Sequence, residues 1–90
     1  MSSRTDVICW EIERAGRLAV VREDGTVVSD DPELARYLRA RLSEPVDVPR
    51  RPRGDPVRLS PGDSRYVVAR VRSLPVEDPS LAIVGIVWNR

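Results

Sequence analysis

Alternating apolar and polar side chains predict a strand near the start of the chain. Within residues 6–14, Ile8, Trp10 and Ile12 occupy every second position, so one face of the segment is apolar. A period of two is typical of a half-buried strand. We therefore expect a strand that packs one face on a core.

Turn dipeptides divide the next residues into two further strands. An alanine-glycine pair separates the first strand from a second over residues 17–23, and Asp24-Gly25 precedes a short third strand over residues 26–29. The Asp-Gly pair is favoured in two-residue hairpin turns of type I′. The first third of the chain is therefore predicted to form a three-stranded meander.

A helix is predicted over residues 32–42. Asp30 or Asp31 can cap its first N–H groups, and Pro32 suits its first position,. Apolar residues recur every four positions and give the helix one stripe that would lie on the sheet. That stripe consists of Leu34, Leu38 and Leu42.

Prolines and arginines dominate residues 44–56. Proline lacks a backbone N–H donor, which excludes the interior of a helix and the centre of a sheet. We predict a semi-rigid, extended loop or crossover in this segment.

Residues 55–73 are predicted to form a strand, a turn and a second strand. Pro61 and Gly62 fit the two central positions of a type II turn,. In residues 65–73, valine and alanine alternate with arginine and tyrosine, which indicates a strand with one apolar and one basic face,.

The last predicted strand, residues 81–88, has the sequence LAIVGIVW and is apolar on both faces. Such a strand is covered on both sides in folded proteins, since an exposed edge of this kind promotes aggregation. One helix can cover only one face of the sheet, so we expect a symmetric homodimer. The predicted oligomer interface consists of Leu81, Ile83, Val84, Ile86 and Trp88.

Three strands, one helix and then two or three strands define an α+β fold with a small, mainly antiparallel sheet. The chain of 90 residues is expected to form a single domain, residues 1–90,. By element order alone it resembles a curled sheet or a small barrel such as the OB-fold. No motif in the residues identifies a family.

Composition excludes several kinds of catalysis and metal site. The chain has one cysteine, Cys9, and no histidine, so it has no disulfide within the chain, no Cys/His zinc site and no Ser-His or Cys-His pair,. We expect no catalytic residues, no metal and no cofactor. The sequence shows neither a secretory signal nor an apolar run long enough to span a membrane, and we expect a cytoplasmic protein.

Charge is unevenly distributed along the chain. Residues 49–72 carry seven arginines and two acidic residues, whereas residues 1–48 carry seven arginines and ten acidic residues. A basic strip on a nearly neutral domain suits phosphate binding. The candidate nucleic-acid-binding or acidic-partner-binding residues are Arg50, Arg51, Arg53, Arg58, Tyr66, Arg70 and Arg72, with Tyr66 as the stacking side chain,.

The same asymmetry also favours self-association or a charged protein partner, because an acidic and a basic surface attract each other between molecules. Our first hypothesis is a small non-catalytic interaction module that self-associates and recognises a protein partner. The alternative is a nucleic-acid-binding module. A third hypothesis is a small ribonuclease without histidine, in which Tyr66, Arg70, Arg72 and Glu77 would do the chemistry.

Overall fold

The computed structural model describes residues 7–50 and 53–89, with side chains described for residues 8–50 and 53–87. In chain order its elements are β1 (Val7–Arg14), β2 (Arg17–Arg22), β3 (Val27–Ser29), α1 (Pro32–Arg41), β4 (Val46–Val48), β5 (Val57–Leu59), α2 (Tyr66–Glu77) and β6 (Leu81–Asn89). The predicted α+β class is confirmed, and the described strands form no closed barrel.

Four strands form one antiparallel sheet in the order β3-β2-β1-β6, and β4 and β5 form a separate hairpin. The central strand β1 places Trp10 opposite Val21 of β2 and Ile86 of β6. Because directly opposed residues share a face of the sheet, these three side chains lie on the same side. β6 is an edge strand, since β1 is the one described strand that pairs with it.

The meander forms as predicted, with its first turn at Ala15 and Gly16, but the second turn is of a different type from the one predicted. Ala15 and Gly16 both have positive φ, at 53° and 82°, which is the conformation of a type I′ turn,. At the second turn, the N–H of Gly25 donates to the carbonyl of Arg22 at 2.8 Å, and the positive φ belongs to Gly25 alone. The predicted type I′ turn at Asp24-Gly25 is therefore wrong, because a type I′ turn needs positive φ at both central residues.

The predicted helix is confirmed as α1. Asp31 is its N-cap and accepts a hydrogen bond from the backbone N–H of Glu33 at 3.2 Å, while Pro32 occupies the first turn. The stripe of Leu34, Leu38 and Leu42 is buried. It packs against the sheet at β2 and β3.

The predicted strand over residues 65–73 is wrong, because this segment belongs to the helix α2. Its buried residues are Tyr66, Arg70, Val71 and Leu74, which recur at helical spacing,. The type II turn before it is as predicted. The N–H of Asp63 donates to the carbonyl of Ser60 at 3.1 Å, and Gly62 has a φ of 104°.

The proline- and arginine-rich segment contains a short strand that the sequence did not indicate. β4 pairs with β5 in an antiparallel register that places Val46 opposite Leu59 and Val48 opposite Val57. These four side chains therefore share one face of the hairpin, and that face is turned toward α2,.

Both helices pack on one face of the four-stranded sheet. The main core joins Trp10 and Ile12 of β1 to Leu38 of α1 and to Val71 and Leu74 of α2. Leu81 of β6 also belongs to this core and is 2% exposed. The opposite face of the sheet carries Leu18 and Val28, which are exposed, so neither helix covers that face there.

Candidate interaction surfaces

The structure separates the basic residues that the sequence grouped together. Tyr66 and Arg70 lie on the inner side of α2, both about 2% exposed, so the Tyr66 ring is not accessible to a base. The Tyr66 hydroxyl donates to the backbone carbonyl of Glu44 at 2.5 Å. Burial raises the pKa of this hydroxyl above its usual value,.

Arg70 is held in a polar cluster that joins the ends of the two helices. Its guanidinium donates to both carboxylate oxygens of Glu77, at 2.6 and 3.0 Å, and to the backbone carbonyl of Arg41 at 2.8 Å. Arg41 also pairs with Glu77 and, at 3.5 Å, with Glu44. Arg70 therefore ties α2 to the last turn of α1 and satisfies a carbonyl there.

The electrostatics of this cluster suit a structural role. Burial raises the pKa of Glu77, but the hydrogen bonds and charges of Arg70 and Arg41 outweigh it, and the net pKa lies below the usual value,. A carboxylate that is bound bidentately and holds its proton weakly is a poor general base. Tyr66 and Glu77, two of the groups of the ribonuclease hypothesis, are thus engaged in internal hydrogen bonds.

The other predicted basic residues lie at the surface. Arg58 is 3.9 Å from Asp47 across the β4–β5 hairpin. None of the ion pairs among the described residues involves Arg50, Arg53 or Arg72. Arg51 lies outside the described residues. Of these exposed arginines, Arg72 lies on α2, and the others lie on or next to the β4–β5 hairpin.

A groove lies between the β4–β5 hairpin and α2, with a volume of about 750 Å³. The apolar face of the hairpin forms the floor of the groove, and Val68 and Ala69 of α2 form the wall across from it. Arg50, Arg65 and Arg72 lie along its margins. This groove was not predicted from the sequence, because it depends on α2 being a helix.

The edge strand β6 is the second exposed apolar surface. Ile83, Val84, Ile86 and Val87 all remain exposed, and Ile86 is 60% exposed. Of the predicted interface residues, Leu81 lies in the core instead. The Trp88 side chain lies outside the described side chains, although its backbone pairs with Ile8.

The uncovered face of the sheet differs from the β6 edge because it carries charged side chains. Glu11 and Glu13 of β1 lie on that face, opposite Gly85 and Ala82 of β6. The carboxylate of Glu11 lies over Gly85, so close that a Cβ added there would be 2.9 Å from Glu11 Oε1. Leu18 and Val28 therefore lie on the same face as two carboxylates rather than in a continuous apolar patch.

Within residues 7–50 and 53–89, no group of three or more acidic or cysteine side chains is arranged to hold a metal ion. In the same residues no helix is long and apolar enough to cross a membrane. Cys9 is buried on the face of the sheet opposite the helices.

The comparison with known proteins gives no relative from which a function could be inferred. The chain matches no protein-family model, no curated protein and no solved structure. The surfaces of the chain itself are therefore the basis for any functional proposal.

Proposed function

We propose that the protein is a non-catalytic interaction module that works as a symmetric dimer, joined through the β6 edges of two copies. The observation that carries this proposal is a nine-residue edge strand with four exposed aliphatic side chains. An edge strand presents a row of unpaired backbone N–H and C=O groups that can pair with another chain. The absence of histidine from the sequence agrees with a role in binding rather than catalysis,.

Antiparallel pairing of β6 with the β6 of a second copy satisfies the two-fold symmetry of a dimer. It would join two four-stranded sheets into one continuous sheet. Ile86 of each copy would then lie beside apolar side chains of the other on the helix-bearing face, while Val87 would do so on the opposite face,. Backbone hydrogen bonds would hold the two edges together.

Pairing at the edge is favoured over stacking of the uncovered faces. Stacking would remove Glu11, Glu13 and Arg22, which shares their face, from water, and burying charged side chains is costly,. Edge pairing leaves both carboxylates in solvent. The exposed β6 side chains are each about half buried already, so each adds roughly 1 kcal/mol when fully covered,. That gain is largely offset by the loss of rigid-body freedom, so we expect a weak, reversible dimer.

The test is sedimentation equilibrium of the wild-type chain and of the variant Ile86→Lys at concentrations from micromolar to millimolar. A lysine on an edge strand opposes pairing because it places a charge among the apolar side chains of the other copy. We expect the variant to raise the dimer Kd at least about tenfold. Since Ile86 is 60% exposed, the fold should survive, and circular dichroism checks this.

The matched control is Leu18→Lys, which places the same charge at an equally exposed aliphatic on the uncovered face. We expect this variant to dimerise like the wild type. Loss of the dimer in Leu18→Lys but not in Ile86→Lys would show that the faces stack instead. A wild-type chain that stays monomeric at millimolar concentration would contradict the dimer altogether.

A further inference from the structure

We propose that the groove between the β4–β5 hairpin and α2 binds an extended acidic peptide segment whose carboxylates alternate with aliphatic side chains. This proposal names a partner for the interaction module proposed above, but it does not depend on the dimer. The groove volume of about 750 Å³ lies within the range of roughly 300–1,000 Å³ that is typical of ligand sites,.

The floor of the groove is aliphatic and only partly covered. Val46 and Leu59 are buried, whereas Val48 and Val57, on the same face of the hairpin, stay partly exposed. Val68 of α2 is exposed across the groove from them. Aliphatic side chains of a ligand would bury apolar area against this floor. Among the described residues that line the groove, none carries an aromatic ring on which a nucleic-acid base could stack,.

The groove follows the β4 strand. Its lining includes consecutive residues from Val46 to Arg50, whereas β5 contributes the alternate residues Val57 and Leu59. The Asp47 side chain shares the opposite face of the hairpin with Arg58, so the main chain of β4 itself borders the groove,. Within residues 7–50 and 53–89, β4 pairs with β5 alone, so its other edge carries no strand from this part of the chain. Pairing of a peptide with an open strand edge is a common mode of recognition.

The charges along the groove select an acidic peptide. Arg50 and Arg72 form no ion pair within the described residues, and Arg65 pairs with Asp63 at 3.1 Å. The side-chain stem of Arg50 lies against Gly54, where an added Cβ would be 3.0 Å from Arg50 Cδ. These two arginines can therefore pair with carboxylates of a peptide. The aliphatic floor beside them can contact aliphatic side chains that alternate with those carboxylates.

The test uses three fluorescein-labelled probes in an anisotropy assay with the full chain. The first is a short peptide in which aspartate or glutamate alternates with valine or leucine. In the second, asparagine and glutamine replace the carboxylates. The third is a single-stranded RNA of similar length. We expect the acidic peptide to bind more tightly than both others and its affinity to fall with salt.

The variant Arg50→Ala/Arg72→Ala removes the two unpaired charges from the groove. We expect it to raise the Kd of the acidic peptide at least about fivefold, since exposed ion pairs contribute modestly. The control Arg36→Ala removes an exposed arginine of α1 that forms no ion pair among the described residues, and it should leave the Kd unchanged. A second variant, Val68→Asn, should weaken binding by removing an aliphatic contact without changing the charge of the groove.

Three outcomes would overturn the proposal. The acidic peptide does not bind, or it binds equally well to the double variant, or the RNA binds more tightly and loses affinity in the double variant. The last result would make the groove a nucleic-acid site. Because none of these measurements depends on β6, they are separate from the test of the dimer.

Discussion

Ala15 adopts a backbone conformation that its side chain disfavours. Its φ of 53° is the one positive value among the described non-glycine residues. In the left-handed region the Cβ approaches the following carbonyl oxygen, which costs an L-residue roughly 1–2 kcal/mol. Asparagine tolerates this region better and is common before glycine in type I′ turns.

We expect Ala15→Asn to increase the free energy of unfolding by about 0.5–1 kcal/mol, because it relieves this strain in a turn that already ends in Gly16. Thermal unfolding should show a midpoint a few degrees higher. The opposite change, Gly16→Ala, introduces strain at a φ of 82° and should lower the midpoint. A lower midpoint for Ala15→Asn would contradict the assignment of the turn.

At the scale of elements, the first half of the chain could be predicted from its sequence because its patterns are local. β1 shows a period of two, and α1 has a capping aspartate, a proline and leucines at every fourth position. Outside that half, β6 was also predicted, because residues 81–88 are apolar, and it lies beside the central strand. Short-range signals of this kind do not depend on the rest of the fold.

The prediction failed at α2 because one residue in its buried stripe is charged. Tyr66, Val71 and Leu74 have helical spacing, but Arg70 lies among them, and an arginine is expected at the surface,. What remained was an alternation of valine and arginine that is typical of a strand. The burial of Arg70 depends on Glu77 and on the Arg41 carbonyl, and the sequence does not show those contacts. The groove could not be predicted for the same reason.

The Arg70–Glu77 pair should stabilise the packing of α2 on the end of α1. Glu77→Gln removes the charge that compensates Arg70, whose side chain is 3% exposed. We expect a loss of about 1–2 kcal/mol in unfolding free energy, less than for a fully buried pair because Glu77 is partly exposed. Urea unfolding measures this change.

The variant Arg70→Met tests the reason for that loss. It replaces the buried charge with an apolar side chain of similar length, and the remaining carboxylate can be hydrated. We expect Arg70→Met to be less destabilising than Glu77→Gln. The reverse order would mean that the hydrogen bond to the Arg41 carbonyl, rather than the ion pair, dominates.

For the whole molecule, the response to acid depends on carboxylates whose pKa is lowered in the folded chain, and two of these lie at the end of α2. The hydroxyl of Ser80 and then that of Tyr37 donate to Asp78 and lower its pKa from 3.8 to about 2. The pKa of Glu77 is also lowered. In the unfolded chain both groups bind protons at higher pH than in the folded chain. Their contribution to stability is therefore complete above about pH 5 and is lost as the pH falls toward 2.

We expect the free energy of unfolding to be nearly constant between about pH 5 and 7 and to decrease between about pH 4 and 2. Asp78→Asn should flatten part of this decrease, because asparagine does not titrate. Urea unfolding at a fixed protein concentration across this range is the measurement. If Asp78→Asn follows the wild-type curve throughout, other carboxylates control the acid response.

The pairing of β1 with β6 has a consequence for the order in which the protein folds. Val7 pairs with Asn89, so the central strand of the sheet gains its second neighbour from a segment about 80 residues away. During synthesis, β1, β2, β3 and α1 leave the ribosome well before β6. Until β6 arrives, one edge of β1 is open, with Trp10 and Ile12 beside it. Non-local pairing of this kind slows folding. The form of this protein that is most prone to aggregation is therefore the nascent chain, in which the open edge belongs to β1 rather than to β6.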